Sequence, residues 1–174
     1  MIIKRSLFIA PILAALSSVP AISQEPREIP AELTVGTPVD ELDSKAIDQL
    51  LFAYKMAWGW QDTEALMSLH SSDTEWINAY ARMFRGTKPL GTFLEERLFT
   101  QFDPEVSRRE VSNMKVISRR YVGEKGAVVH MFTDGDRGAS RNENEELRRT
   151  HIHLVLEKRK ENWLIVHTAI MDAR

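Results

Sequence analysis

The chain contains no cysteine, which excludes disulfide bridges, thiolate zinc, iron–sulfur centres and any cysteine nucleophile. Neither charge sign dominates: 23 basic side chains stand against 25 acidic ones, so nothing in the overall electrostatics recruits nucleic acid. The 8 glycines are scattered, and they build neither a phosphate-cradling loop nor a dinucleotide fingerprint after a strand; no G-x-S-x-G elbow is present. The carboxylates fall in loops and on helix surfaces, so spacing alone names no acid–base pair.

What is present begins with an address. Residues 1–23, MIIKRSLFIAPILAALSSVPAIS, set Lys4 and Arg5 ahead of an apolar run from Leu7 to Leu16 and end on Ala21-x-Ser23, the order of a secretory signal peptide. A membrane anchor is the competing reading, but the run is shorter than the ~20 residues a span needs, and Pro11 interrupts it. Cleavage leaves a mature protein starting near Gln24, periplasmic or secreted and without a stable membrane anchor. Without Lys4 and Arg5 the net charge of −2 becomes −4, which disfavours nucleic acid and anionic lipid as partners. Residues 24–42, QEPREIPAELTVGTPVDEL, have three prolines and no apolar period, and read as an extended leader. Its Leu33, Val35 and Val39 leave open a short strand against the body.

Residues 43–174 have the size and the mixture of apolar and charged residues of one globular domain that needs no metal to hold its core. Ile47, Leu50, Leu51, Tyr54, Ala57 and Trp58 recur with helical period, predicting a helix capped by Asp43 or Ser44 and ending near Gln61. Asp62 or Thr63 caps a second helix through Leu66 and Leu69, closed by the polar stretch His70-Ser71-Ser72-Asp73. A strand from Thr74 to Tyr80 then places Trp76, Asn78 and Tyr80 on one face. Thr87 and Pro89 start a third helix carrying Leu90, Phe93, Leu94, Leu98 and Phe102. After Pro104 the period becomes two, with strands over Val111 to Ser118, Gly126 to Thr133, Leu147 to Lys158 and Trp163 to Met171. Helices first and strands afterwards predict an α+β domain with helices over one face of an antiparallel sheet. Asp134 to Glu146 reads as a long mobile hairpin tip. The arginines at 108, 109, 119, 120, 148 and 149 are either an anion-attracting surface or solvated strand edges that discourage aggregation.

His151-x-His153 points two imidazoles from one strand face, a spacing that takes zinc or copper when His130 or His167 supplies a third ligand. An even-length turn around Lys160–Asn162 turns His167 to the opposite face, among apolar residues, and that constellation fails; a bulge restores it. The even turn is the expectation, with no metal and no cofactor. His167 is then an interior histidine, either a hydrogen-bonded core residue or a reactive one. Asn78 and Tyr80 beside Trp76 either orient a ligand or satisfy buried backbone. Tyr54 and Trp58 are core aromatics that also serve as candidate cavity lining.

The segments AIDQLLFAYKMAWGWQDTEALMSLHSSDTEWINAY, RMFRGTKPL, GAVVHMF and HLVLEKRKENWLIVHTAIM occur in that order over about residues 44–172. Together they resemble the SnoaL-like proteins of the SgcJ/EcaC type, within the cone-shaped nuclear-transport-factor-like superfamily. The resemblance rests on the paired first helices, Trp76-x-Asn78, Gly86 before the third helix, the strand Ala127 to His130, and the last hairpin. It implies a strongly curved antiparallel sheet wrapped over three helices, an apolar pocket with a few polar groups, and a homodimer through the outer sheet face. Relatives include ketosteroid isomerases and polyketide cyclases with an aspartate base, and many members of this type are labelled oxidoreductases. No aspartate here matches that base, and Glu95 or Glu96 stands near the place where many members carry a histidine. With His167 inside, Val155, Leu164, Val166 and Ile170 form an outward apolar patch that suits a dimer.

The expectation is an exported cone-fold protein binding a small apolar or aromatic molecule in a pocket lined by Tyr54, Trp58, Trp76, Asn78, Tyr80, His130 and His167. His167, His130 and Tyr80 are the candidates for proton transfer. The alternative is a non-catalytic dimerising or partner-binding module, favoured if Asn78, Tyr80, His130 and His167 are dispersed.

Overall fold

The structure, a computed structural model, describes residues 29–101, 103–135 and 148–172. The signal peptide, its cleavage point and most of the Asp134 to Glu146 loop lie outside the described residues. In chain order the elements are β1 (Leu33–Val35), α1 (Glu41–Trp60), α2 (Thr63–Ser68), β2 (His70–Ile77), β3 (Met83–Arg85), α3 (Thr87–Phe93), α4 (Pro104–Asn113), β4 (Lys115–Val122), β5 (Gly126–Gly135), β6 (Arg148–Arg159) and β7 (Asn162–Asp172). After Phe93 the third helix runs on through a π-helical turn, Leu94–Leu98, and a 3-10 turn, Phe99–Gln101.

The predicted apolar stripe of α1 is the buried one, from Ile47 to Trp58. Its cap is Asp40, whose side chain accepts from the Leu42 amide at 2.8 Å, in place of Asp43 or Ser44. Asp43 has other work: it is buried, with Lys158 Nζ at 2.7 Å and Trp163 Nε1 donating to it at 3.0 Å, which ties the helix to the last hairpin. The Lys158 ammonium holds the Asp43 carboxyl below its ordinary range, although burial opposes this. Asp62 caps α2 as predicted, accepting from the Ala65 amide at 2.9 Å.

Two boundaries differ from the expectation. The polar stretch His70 to Asp73, which reads as a loop, is the first half of β2, because that backbone joins the sheet beside β7. The strand expected from Val111 begins only at Lys115; before it Asp103 caps and Pro104 opens a fourth helix, so local capping overrides the β-branched residues. At the β3–α3 junction Gly86 adopts φ 84°, a conformation a side chain resists, and a Cβ there would sit 3.2 Å from the Ser72 carbonyl.

The seven strands run in the order β1-β4-β5-β6-β7-β2-β3. β4 to β7 form an antiparallel meander, β3 is antiparallel to β2, and β1 and β2 join β4 and β7 in parallel. The α+β class therefore stands: helices pack on a curved open sheet, with two parallel pairings at its margins. Bulges in β4, in β2 and between β6 and β7 help bend it. The core lies between helices and inner sheet face, where Ile47, Trp58, Leu90, Val129, Leu154 and Ile165 are all nearly or fully inaccessible.

The β6–β7 bulge decides which way the last strand faces. Lys160 and Glu161 form the two-residue turn between Arg159 and Asn162, with Lys160 at φ 58°, and Leu156 pairs with Ile165 on the inner face. Val166 is then an extra residue, because the next pair is Val155 with His167. From that point the parity of β7 is reversed. His167 faces outward with Val155, and Ile170, opposite Ile152, packs against the core. Both the interior His167 and the continuous outward patch containing Ile170 are corrected by this one residue.

Candidate functional site

The buried histidine of this fold is His70, only 6% exposed, at the start of β2. Its Nδ1 lies 2.8 Å from the Leu66 carbonyl oxygen, and since a carbonyl only accepts, Nδ1 carries the proton and donates it. Nε2 is left with a lone pair. Burial pushes the imidazole down to about 4, with the Leu66 bond opposing, so the ring is neutral near pH 7.

Four buried polar atoms on the neighbouring strands β2 and β7 have no hydrogen-bond partner among the described residues: His70 Nε2, Ser71 Oγ, Thr74 Oγ1 and Thr168 Oγ1. Thr74 shares the inner face with Trp76, and Thr168 is the direct cross-strand partner of Trp76. Trp76 is itself in the core, with the rings of Phe84 and Phe93 each 5.9 Å away. Buried polar atoms are normally paired, so this seam calls for a polar occupant, water or ligand.

On the α1 side, Trp58 Nε1 donates to Glu110 Oε2 at 2.7 Å, and Tyr54 stacks on Trp58 with centroids 6.2 Å apart. Glu110 is 1% exposed, and its backbone carbonyl accepts from Thr133 Oγ1 at 2.6 Å, which locks α4 to both α1 and β5. A cavity of about 500 Å³ is lined by Leu50, Leu69, Trp163 and Leu164 together with Arg159, Lys160 and Asn162, and none of His70, Thr74, Trp76 and Thr168 is among its lining residues. Leu69 and Leu164 are the chain neighbours of His70 and its strand partner Ile165.

Of the residues selected from sequence, Tyr54, Trp58 and Trp76 are in the interior. Asn78 is buried too, but its Oδ1 accepts from the Tyr80 and Arg82 amides, each at 2.9 Å, and so organises the β2–β3 turn. Tyr80 is 63% exposed, because β2 ends at Ile77 and the chain turns before reaching it. His130 and His167 lie on the outer face, His130 opposite His153 and His167 with Nδ1 3.7 Å from Glu75 Oε1. Asn78, Tyr80, His130 and His167 therefore do not converge. Arg119, one of the arginines read either as an anion-attracting surface or as a solvated strand edge, is buried and pairs with Asp48 on α1. Sequence reasoning passes over His70, Thr168 and Glu110. His70 is hidden in a polar run that reads as a loop; Glu110 sits in a helix that reads as the approach to a strand.

No family model and no curated relative matches the chain. Solved structures do. A ketosteroid isomerase-like protein from Erwinia carotovora superposes with a TM-score of 0.59 at 15% identity, covering 78% of this chain and 99% of that one. A protein of unknown function with a cystatin-like fold from Nostoc punctiforme gives 0.56 at 16% identity, covering 79% and 96%. A nuclear-transport-factor-2-like protein of unknown function from Shewanella oneidensis gives 0.56 at 17% identity, covering 75% and 99%. At these identities the likeness shows the fold alone, the cystatin-like, nuclear-transport-factor-2-like arrangement of those structures.

Proposed function

We propose that the chain is an exported cone-fold protein that binds a small, mainly apolar or aromatic organic molecule between α1, α2 and the β2–β7 seam. The observation that carries this reading is His70: a buried, neutral imidazole with one nitrogen spent on Leu66 and the other left without a partner among the described residues. The walls around the seam are apolar and aromatic, the usual make-up of a small-molecule site with a few placed polar groups. An imidazole titrating near 4 is a good hydrogen-bond acceptor and a weak base at neutral pH. Binding is thus the primary role, and proton transfer a secondary one that needs a ligand able to raise that value.

Native mass spectrometry of protein isolated from its own source tests the reading. Wild type should retain a small molecule, and His70→Gln should retain less of it at near-normal stability. The interior position of Tyr54, Trp58 and Trp76 favours the second reading, a dimerising module whose cavity its own side chains fill. That reading replaces the first if wild type retains nothing. Export is proposed from the pattern of residues 1–23 and is checked by N-terminal sequencing of endogenous protein, which should begin near Gln24. A homodimer is proposed through the outer sheet face, where Val128, Val155 and Leu164 are half-buried.

A further inference from the structure

Three of the chain's 5 histidines stand together on the outer face of the sheet, away from the seam. His151 and His153 flank the buried Ile152 on β6, so both rings leave the strand on the same side. His130 on β5 is the direct cross-strand partner of His153. His130 Nε2 is 2.8 Å from His151 Nδ1, and the His130 and His153 rings are 4.0 Å apart between centroids. The Phe132 ring meets His151 edge-on at 5.1 Å and props it in place.

As the side chains stand, no three histidine, aspartate or glutamate groups among the described residues surround one metal position. His130 and His151 stand at a hydrogen-bond distance, 2.8 Å. Two imidazoles on a tetrahedral zinc ion at about 2.0–2.1 Å have their nitrogens about 3.3 Å apart. Opening the pair by about half an ångström needs only ring rotation, and the ring torsion of histidine is broad. The backbone already supplies the spacing, because direct cross-strand partners hold their Cβ atoms about 4.5–5.5 Å apart.

We infer that His130, His151 and His153 form a site for one divalent transition-metal ion, with Zn²⁺ the ion best suited to three imidazoles and an open fourth position. Three-histidine sets are an established way of holding zinc, and with no thiolate in the chain imidazole is its softest anchoring ligand. His167 stays outside the set, held toward Glu75 across the β2–β7 pairing. The site is independent of the interior seam and stands or falls without it.

The test uses untagged, chelator-stripped protein titrated with Zn²⁺ by calorimetry and with Co²⁺ as an absorbing reporter of coordination. One equivalent per chain is expected, with tetrahedral Co²⁺ absorption. The imidazole ¹⁵N resonances of His130, His151 and His153 should shift with Zn²⁺, and those of His70 and His167 should not. His130→Gln and His153→Gln should each weaken Zn²⁺ binding by more than about 100-fold, the most that changes to residues merely supporting a ligand bring about. His167→Gln should leave it unchanged. Absence of saturable Zn²⁺ binding, binding insensitive to His130→Gln, or shifts confined to other histidines would overturn the inference. Should a variant fail to fold, the wild-type resonances decide.

Discussion

His70 makes the stability of this protein depend on pH in a way that one substitution isolates. In the unfolded chain its imidazole titrates near the ordinary 6.5; in the fold burial brings it to about 4. Between those values the unfolded chain binds the extra proton, so stability rises with pH across the window. The contribution is fully present above about 6.5 and is lost as pH falls toward about 4. At about 1.36 kcal/mol for each tenfold step, it amounts to about 3 kcal/mol. A domain of this size has roughly 5–15 kcal/mol in total, so the effect is large enough to measure.

His130 titrates in the same window from a half-exposed position, so the wild-type curve alone mixes the two groups. His70→Gln removes only the buried one. Urea unfolding followed by tryptophan fluorescence, from neutral pH down to about 4.5, gives the wild-type minus variant stability at each pH. Over that range the difference should fall by about 2 kcal/mol. A flat difference, or a His70 resonance titrating near 6.5 in the folded protein, would refute the placement of this ring in the interior.

Glu110→Ala removes the acceptor at Trp58 Nε1 and opens space between α1 and α4; urea unfolding should show a loss of about 2–4 kcal/mol. Gly86→Ala forces a side chain into φ 84° against the Ser72 carbonyl and should cost about 1–3 kcal/mol by the same assay. Thr168→Val removes a hydroxyl that has no partner among the described residues, so in ligand-free protein stability should hold or rise by up to about 1 kcal/mol, while retention of the small molecule should weaken. Leu164→Glu places a charge on the outer face and should convert a homodimer to monomer in light scattering; a wild type already monomeric at micromolar concentration refutes that interface.

The elements with strong period are legible in the amino-acid sequence alone: the α1 stripe from Ile47 to Trp58 and the alternation of the last three strands depend on local pattern, and local pattern is what a sequence displays. The fold class follows, and so do the inward Tyr54, Trp58 and Trp76. The site is much less legible. Asn78 is recognisable as a polar residue among aromatics, yet whether its oxygen faces a ligand or the Tyr80 and Arg82 amides depends on where β2 ends, and no residue type between Trp76 and Tyr80 marks that end. His70 lies in a run of polar residues whose burial comes from pairing with β7, nearly a hundred positions away. The orientation of His167 is beyond reach of pattern because it turns on a single unpaired residue, Val166, whose apolar β-branched side chain suits either face.

That single residue sorts the histidines into two chemical settings, and the sorting constrains what the interior can hold. Beyond the bulge His167 goes out to Glu75, and the even spacing of β6 keeps His151 and His153 outside as well, leaving His70 alone inside. The interior atoms of the seam without a partner among the described residues are then one imidazole nitrogen that accepts and the three hydroxyls of Ser71, Thr74 and Thr168, which both donate and accept. No cation is among them. Asp43 is paired with Lys158, and Glu110 accepts from Trp58, so both buried carboxylates are engaged by the scaffold itself. A carboxylate or phosphate ligand would lose its hydration and gain only hydroxyl donors, a poor exchange in a low-dielectric interior. An ammonium would meet the same cost with a neutral imidazole as its best partner. On the proposed reading the ligand is therefore uncharged, with a hydroxyl or amide N–H to donate to His70 Nε2 and an apolar or aromatic body to lie against Trp76 and its neighbours.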